Sequence, residues 1–188
     1  MKQGLFFGRA VGTETRADDP LLRVGKQPLL KMPCEGTKGK VVRKSTAGVG
    51  DDASLSADKV TTRQRAVATS TMATGFEEAA VSSVSIGGDQ ITLTGIVGRV
   101  NVTRTKAGVV SDTKGTTIGS VKIGGQTLAL PDLDGFTIPG LVRIDTHITT
   151  KIRNGLEVVA LRLTFLDGSG RVTDLGYARL QVNGNGLK

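Results

Sequence analysis

The chain has 188 residues, with 25 Lys and Arg against 17 Asp and Glu for a formal net charge of +8, one Cys, one Tyr, five Phe and no Trp. That length fits one domain or two small ones, the single cysteine excludes an intramolecular disulfide and a cysteine-rich metal site, and no stretch reaches the ~20 apolar residues of a membrane-spanning helix. With so few aromatics, Val, Ile, Leu, Ala and Thr must fill the core, and the 26 Gly beside abundant Thr and Val favour strands and turns.

Residues 1–50 hold ten basic and four acidic side chains, whereas 51–188 hold fifteen and thirteen. The basic excess therefore sits near the N-terminus, where it either solvates an arm or attracts a polyanion. "GLFFGRAVGTETR" reads as a first strand, with Leu5, Phe6, Phe7 and Val11 as its apolar positions. The apolar run of "MKQGLFFGRAVG" is too short for the core of a signal peptide. "DDPLLRV" and "KQPLLKMPCEG" read as turns leading into short extended runs, because Pro restricts itself and the residue before it. Lys38, Lys40, Arg43 and Lys44 form a basic run that suits point-charge contact with a polyanion. No aromatic residues lie beside it, so it is no stacking platform for single-stranded nucleic acid.

Residues 53–80 mix Ala with Ser, Thr and Val and show no apolar stripe of helical period. They read mainly as strand, with one arguable helix around "TGFEEAAVSS". Beyond Val81 the strand signal sharpens. Ser-Val-x-Ile-Gly-Gly occurs at Ser83–Gly88 and again at Ser120–Gly125. Each copy reads as strand, Gly-Gly turn, strand, since Gly-Gly accepts the positive φ of tight hairpins. Two copies are too few for a solenoid, so the phrase marks two related hairpins of one sheet system. Near the C-terminal end, Asn154-Gly155 separates "LVRIDTHITTKIR" from "LEVVALRLTFL", a strong hairpin signal. A two-residue loop there would place Ile144 opposite Phe165 and Ile148 opposite Leu161 on one apolar face. His147 would then meet Arg162 on the other. "FLDGSGRVTDLGYARLQV" turns at Asp167–Gly170 and adds a third strand.

The stretch "GTTIGSVKIGGQTLALP…FTIPGLVRIDTHITTKIRNGLEVVALRLTFLDGSGRVTDLGYARLQV" resembles the choice-of-anchor P family of actinobacterial secreted and surface proteins. "AAVSSVSIGGDQITLTGIVGRVNVT" resembles that family's first hairpin, and "GRAVG" its opening strand. The resemblance implies a secreted, surface-associated β protein and carries over no catalytic residues. The chain departs from the pattern in its basic charge, its lack of cysteines near the end and its lack of a leader. The expected location is extracellular or at the cell surface with the leader removed, and the cytoplasm is the alternative.

Candidate chemistry is thin. His147 and Cys34 lack the spacing and context of a nucleophile–base pair, and together they do not make a four-coordinate zinc site. Asp132 and Asp134 in "PDLDGFT" are a fragment of a calcium loop without its later Glu, and "LDGSGR" is the same. Both read as Asp-capped turns. Asn101-Val102-Thr103 is a glycosylation triplet that matters only in a eukaryotic secretory context. No phosphate-binding loop or dinucleotide fingerprint is present.

The expectation is an all-β, antiparallel β-sandwich of Greek-key and meander hairpins. A basic, less regular N-terminal arm over 1–50 joins a body over 51–188. The expected role is a non-enzymatic structural protein of the cell surface, without cofactor or metal. It would assemble with copies of itself into a fibre, sheath or layer, or serve in adhesion, through strand edges or through the arm at Leu5, Phe6, Phe7 and Val11. The alternative is a monomeric module that binds an acidic cell-wall polymer or glycan through Lys38, Lys40, Arg43 and Lys44.

Overall fold

The computed structural model describes residues 4–50, 55–88, 90–128 and 134–184. Their strands are, in chain order, β1 (Leu5–Arg16), β2 (Val24–Lys31), β3 (Val42–Thr46), β4 (Val49–Gly50), β5 (Leu55–Ala57), β6 (Val60–Ala68), β7 (Ala73–Ile86), β8 (Ile91–Thr105), β9 (Gly108–Asp112), β10 (Ser120–Ile123), β11 (Gln126–Leu128), β12 (Phe136–Ile138), β13 (Val142–Ile152), β14 (Gly155–Phe165) and β15 (Val172–Asn183). All pair antiparallel, and the expected sandwich is present as two sheets. The first has six strands in the order β12-β13-β14-β15-β1-β2. The second has nine, built on the β7–β8 hairpin. β6 and β5 share the far edge of β7, while β9 and β10 share the far edge of β8. No helix among the described residues is long and apolar enough to cross a membrane.

The two copies of the repeated phrase lie side by side. β10 pairs with β8 from Ser120↔Thr94 to Ile123↔Ile91, which puts both glycine tips at the same end of the second sheet. Gly124 and Gly125 form a two-residue turn with positive φ at both. The Gly87-Gly88 tip is longer, running to Gln90, whose carbonyl accepts the Gly124 amide at 2.9 Å. Val84, Ile86, Ile91, Leu93 and Val121 fill the core behind them.

Three expectations are corrected. The arguable helix around residues 74–83 is the middle of β7, where pairing with β6 and β8 on both edges outweighs the local Ala and Glu preference. The N-terminal strand is no loose arm. β1 is paired along its length with β15 and over Arg9–Thr15 with β2, and Phe6 and Ala10 are fully buried. The β13–β14 loop is Arg153-Asn154, not Asn154-Gly155, because Ile152 pairs with Gly155. Asn154 takes the positive φ. Gly155 belongs to the strand, where a β-carbon would collide with the Leu180 carbonyl of β15. Ile144 therefore faces Leu163 and Ile148 faces Val159.

The hairpin also does not keep one apolar face. In the first sheet the regular pairs skip His147 of β13, Ala160 of β14, Gly176 of β15 and Gly12 of β1, which lie on one line across four strands. His147 and Gly176 have φ of 49° and 66°. At this crease the alternation slips by one residue. On β14, Leu156 and Val158 point inward before it, and Leu161 and Leu163 after it. Ile148 consequently leaves the core and packs on the outer face with Val11, Val159 and Tyr177. The second sheet has a matching crease at Ser82 and Gly95, where φ is 63°.

Glycines at the crease let the sheets touch. A β-carbon on Gly98 of β8 would overlap the Gly176 carbonyl of β15. Either side of this waist lie separate apolar clusters, one around Ile86, Ile96, Leu161 and Leu163, the other around Phe6, Val100, Val158 and Leu180. A polar pair is buried on the Phe6 side of the waist. Glu77 of β7 is 0 % exposed, neighbours Gln64 of β6 and approaches Gly8 of β1 so closely that a β-carbon there would sit 2.8 Å from its Oε1. Neither Glu77 oxygen has a hydrogen-bond partner, and burial pushes its pKa from the ordinary 4.5 up to about 9.

The waist predicts that Gly98→Ala destabilises the chain by at least about 2 kcal/mol in a denaturant titration, because backbone cannot move aside cheaply. Gly25→Ala has open space around it and should change stability by no more than about 0.5 kcal/mol. Equal effects would contradict the close approach. The proton on folded Glu77 is one that the unfolded chain loses near pH 4.5. Its stabilising contribution is complete below that pH and falls away as pH rises towards about 9. Unfolding titrations at about pH 5, 7 and 9 should show Glu77→Gln gaining on the wild type as pH rises, by ~1 kcal/mol or more across the range. A difference that stays constant with pH would refute the buried acid.

Candidate functional site

The sequence pointed first to Leu5, Phe6, Phe7 and Val11. All four are on β1, a strand whose two edges are occupied within the chain. Even near its start, the Phe6 amide donates to the Cys34 carbonyl at 2.9 Å, and the Gly8 carbonyl accepts from Met32. Phe6 and Val11 are buried, while Leu5 and Phe7 show 39 % and 44 % of their surface. Donating β1 to a neighbour would mean dismantling the first sheet.

Lys38, Lys40, Arg43 and Lys44 do not form one patch. Lys38 and Lys40 lie in a turn pinned by Thr37 and Gly39, whose amides both donate to the Ala66 carbonyl. Arg43 and Lys44 are adjacent on β3 and so project to opposite faces. Arg43 stands directly opposite Arg63 of β6 and, with Lys59, lines a 530 Å³ cavity on the outer face of the second sheet. Arg63 and Arg99 in turn close on the buried Glu78 carboxylate, and Arg99 stacks over Phe76 at 4.0 Å.

Cys34 is exposed after β2, and His147 sits in the crease of β13, with β14, β15 and β1 between the two strands. The structure does not bring them together. Among the described residues no three His, Cys, Asp or Glu side chains converge as metal ligands. Asp134 accepts the Thr146 amide of β13 at 2.8 Å and so ties its turn to that strand, and Asp132 lies outside the described residues. Asp167 caps the β14–β15 turn, and its hydrogen bonds from Ser169 hold its carboxyl below the usual range. Asn101 is tied to Arg99 and Asp112.

Strand edges carry more information than these residues. Four of them are short or blocked: β4 and β12 have two and three residues, β3 carries Arg43 and Lys44, and β2 carries Pro28, Lys26 and an irregular register. β9 and β13 differ. Among the described residues β9 pairs only with β8. β13 pairs with β12 only over Val142–Ile144, so its outer edge from His147 to Ile152 has no neighbouring strand among the described residues. These two edges, one from each sheet, border a common 660 Å³ groove lined by Arg104, Val109, Val110, Lys151 and Ile152. Val110 is 70 % exposed there. This open flank breaks the edge protection seen on the other strands.

Sequence reasoning missed a second surface, on the outer face of the first sheet. The crease dents this face above the Gly98–Gly176 waist. A 310 Å³ cavity in the dent is lined from β1 by Arg9, Glu14 and Arg16, from β14 by Glu157 and Arg162, and from β15 by Asp174, Tyr177 and Arg179. Asp174 is almost wholly buried and takes Arg162 at 2.6 Å and 3.0 Å and also Arg16. Its hydrogen bond raises the Arg162 pKa. Burial and the bond from its hydroxyl to Glu157, at 2.8 Å, raise the Tyr177 pKa and keep the phenol protonated. The only sequence signal was the polar side chains spaced between apolar ones in "YARLQV" and "LEVVALRL".

Compared with protein-family models, curated proteins and solved structures, the chain matches none.

Proposed function

We propose that the chain is a non-enzymatic structural protein of the cell surface that assembles with copies of itself through the open flank of the sandwich. The observation that carries this reading is the pairing of two free edges, β9 and β13, around one groove while the other edges are short, charged or interrupted. Unpaired amides and carbonyls on a flat edge are a template for another strand. Val110 supplies an exposed apolar contact in the same groove. The surface location rests on the sequence resemblance to the choice-of-anchor P family alone, which no family model repeats. The assembly route runs through this flank rather than through β1, whose edges are already filled.

Light-scattering mass and negative-stain microscopy on the purified chain test the reading. The expected outcome is a mass that rises with concentration to multiples of 19.6 kDa, with regular particles or polymers. Val110→Lys combined with Thr149→Lys places charge on both edges and should return the chain to monomer with its far-UV circular dichroism unchanged. A wild type that stays monomeric at ~100 μM, where a contact with a Kd of about 1 μM would be almost fully formed, overturns the proposal. So does assembly that the double variant leaves intact.

A further inference from the structure

The geometry points to an oxyanion site in the dent of the first sheet, centred on Arg9 and Arg179, for a phosphate or sulfate group carried on a saccharide. Five cations and three carboxylates line the main cavity, Lys26 joining the side chains already named, so two positive charges are in excess. The excess is local. Asp174 occupies Arg16 and Arg162, and Glu14 holds Lys26 at 3.0 Å. What remains is Glu157 with Arg9 and Arg179, and the two arginines are directly opposite each other on β1 and β15. Like charges in that position repel.

Neither guanidinium is satisfied by the protein. Arg9 makes no carboxylate pair among the described residues, and its one polar contact is a 3.3 Å bond to the Tyr177 hydroxyl. Its Nε is buried without a hydrogen-bond partner, so the protein leaves the guanidinium incompletely satisfied. Arg179 reaches only Glu157, at 3.7 Å, beyond normal hydrogen-bond range. Two forks from neighbouring strands, with Glu157 as the one carboxylate beside them, leave one positive charge over and suit a tetrahedral oxyanion, whose three or four oxygens accept from both. Glu157 and Asp174 already fill the carboxylate positions of the dent.

The saccharide follows from Phe7. A second cavity of 150 Å³ adjoins the same arginine pair and is bordered by Phe7 and Gly8. Phe7 is on the same face of β1 as Arg9, two residues away, and is 44 % exposed. Its ring offers an apolar face to a sugar held by its oxyanion. This site lies on a sheet face, away from the flank edges β9 and β13, and does not depend on self-assembly.

Calorimetric titration at low ionic strength tests it with three probes: inorganic phosphate, glucose 6-phosphate and glucose. The expected order is glucose 6-phosphate above phosphate, with no binding of glucose. Arg9→Gln with Arg179→Gln should weaken both anions at least about tenfold, whereas Lys38→Gln with Lys40→Gln should change neither. Phe7→Ala should reduce glucose 6-phosphate to the affinity of phosphate and leave phosphate unchanged. Thermal melts of Arg179→Gln keep the test open if the double variant does not fold. Without anion, relief of repulsion leaves its Tm equal to or above the wild type's, and with phosphate only the wild type gains. Absence of anion binding to the wild type, or binding that survives both arginine changes, overturns the site. A Phe7→Ala variant with undiminished preference for the sugar phosphate overturns its saccharide part.

Discussion

Gly98 and Gly176 bring two backbones into contact where other sandwiches keep side chains between their sheets. Sheets normally stand about 10 Å apart because side chains fill the gap. Here the gap closes at the centre, and the apolar residues are divided into two smaller clusters on either side. That arrangement suits a chain without tryptophan. Valines, leucines and isoleucines fill two narrow cores more completely than one broad one. The creases follow from it, since a sheet drawn inward at its middle must bend, and residues with positive φ absorb the bend.

The same waist sets where polar groups lie. The slip in alternation turns Tyr177, Val159 and Val11 outward and lets long charged side chains from three strands close over them. Asp174 and Glu78, each almost buried and each holding two arginines, tie down the outer faces of the two sheets. Glu77 lies between the sheets without such a partner, so it remains in the core as the neutral acid. The surface charge is thus arranged in local networks, and arginines also stand directly opposite one another across strands, Arg9 with Arg179 and Arg43 with Arg63.

Local features were legible in the sequence. Gly-Gly turns, the β14–β15 meander and the all-β class follow from alternation and turn chemistry, which act over a few residues. The failures have long-range causes. β7 contains Ala and Glu that tolerate helix, and only its two neighbours make it a strand. The Asn-Gly pair suggested the wrong loop because Gly155 answers to Leu180 rather than to the turn. The crease is invisible because Ile144 and Ile148 share parity, and the slip between them depends on Gly176 meeting Gly98 on another sheet. Arg9 and Arg179 are at opposite ends of the chain, so no local pattern could have joined them.

The pairing of β1 with β15 has a consequence for how the chain reaches this state. Leu5 opposite Asn183 joins the first and the last of the described strands. The six-stranded sheet cannot be completed until its last strand is available. Until then Phe6 and Ala10 have only β2 and the second sheet to cover them. Such non-local closure slows folding and prolongs exposure of unpaired edges. The nine-stranded sheet is different, because its spine is a local hairpin between β7 and β8. It provides a template on which the late-closing sheet can condense, and during synthesis β1 would wait for its partner until every strand between them had been made.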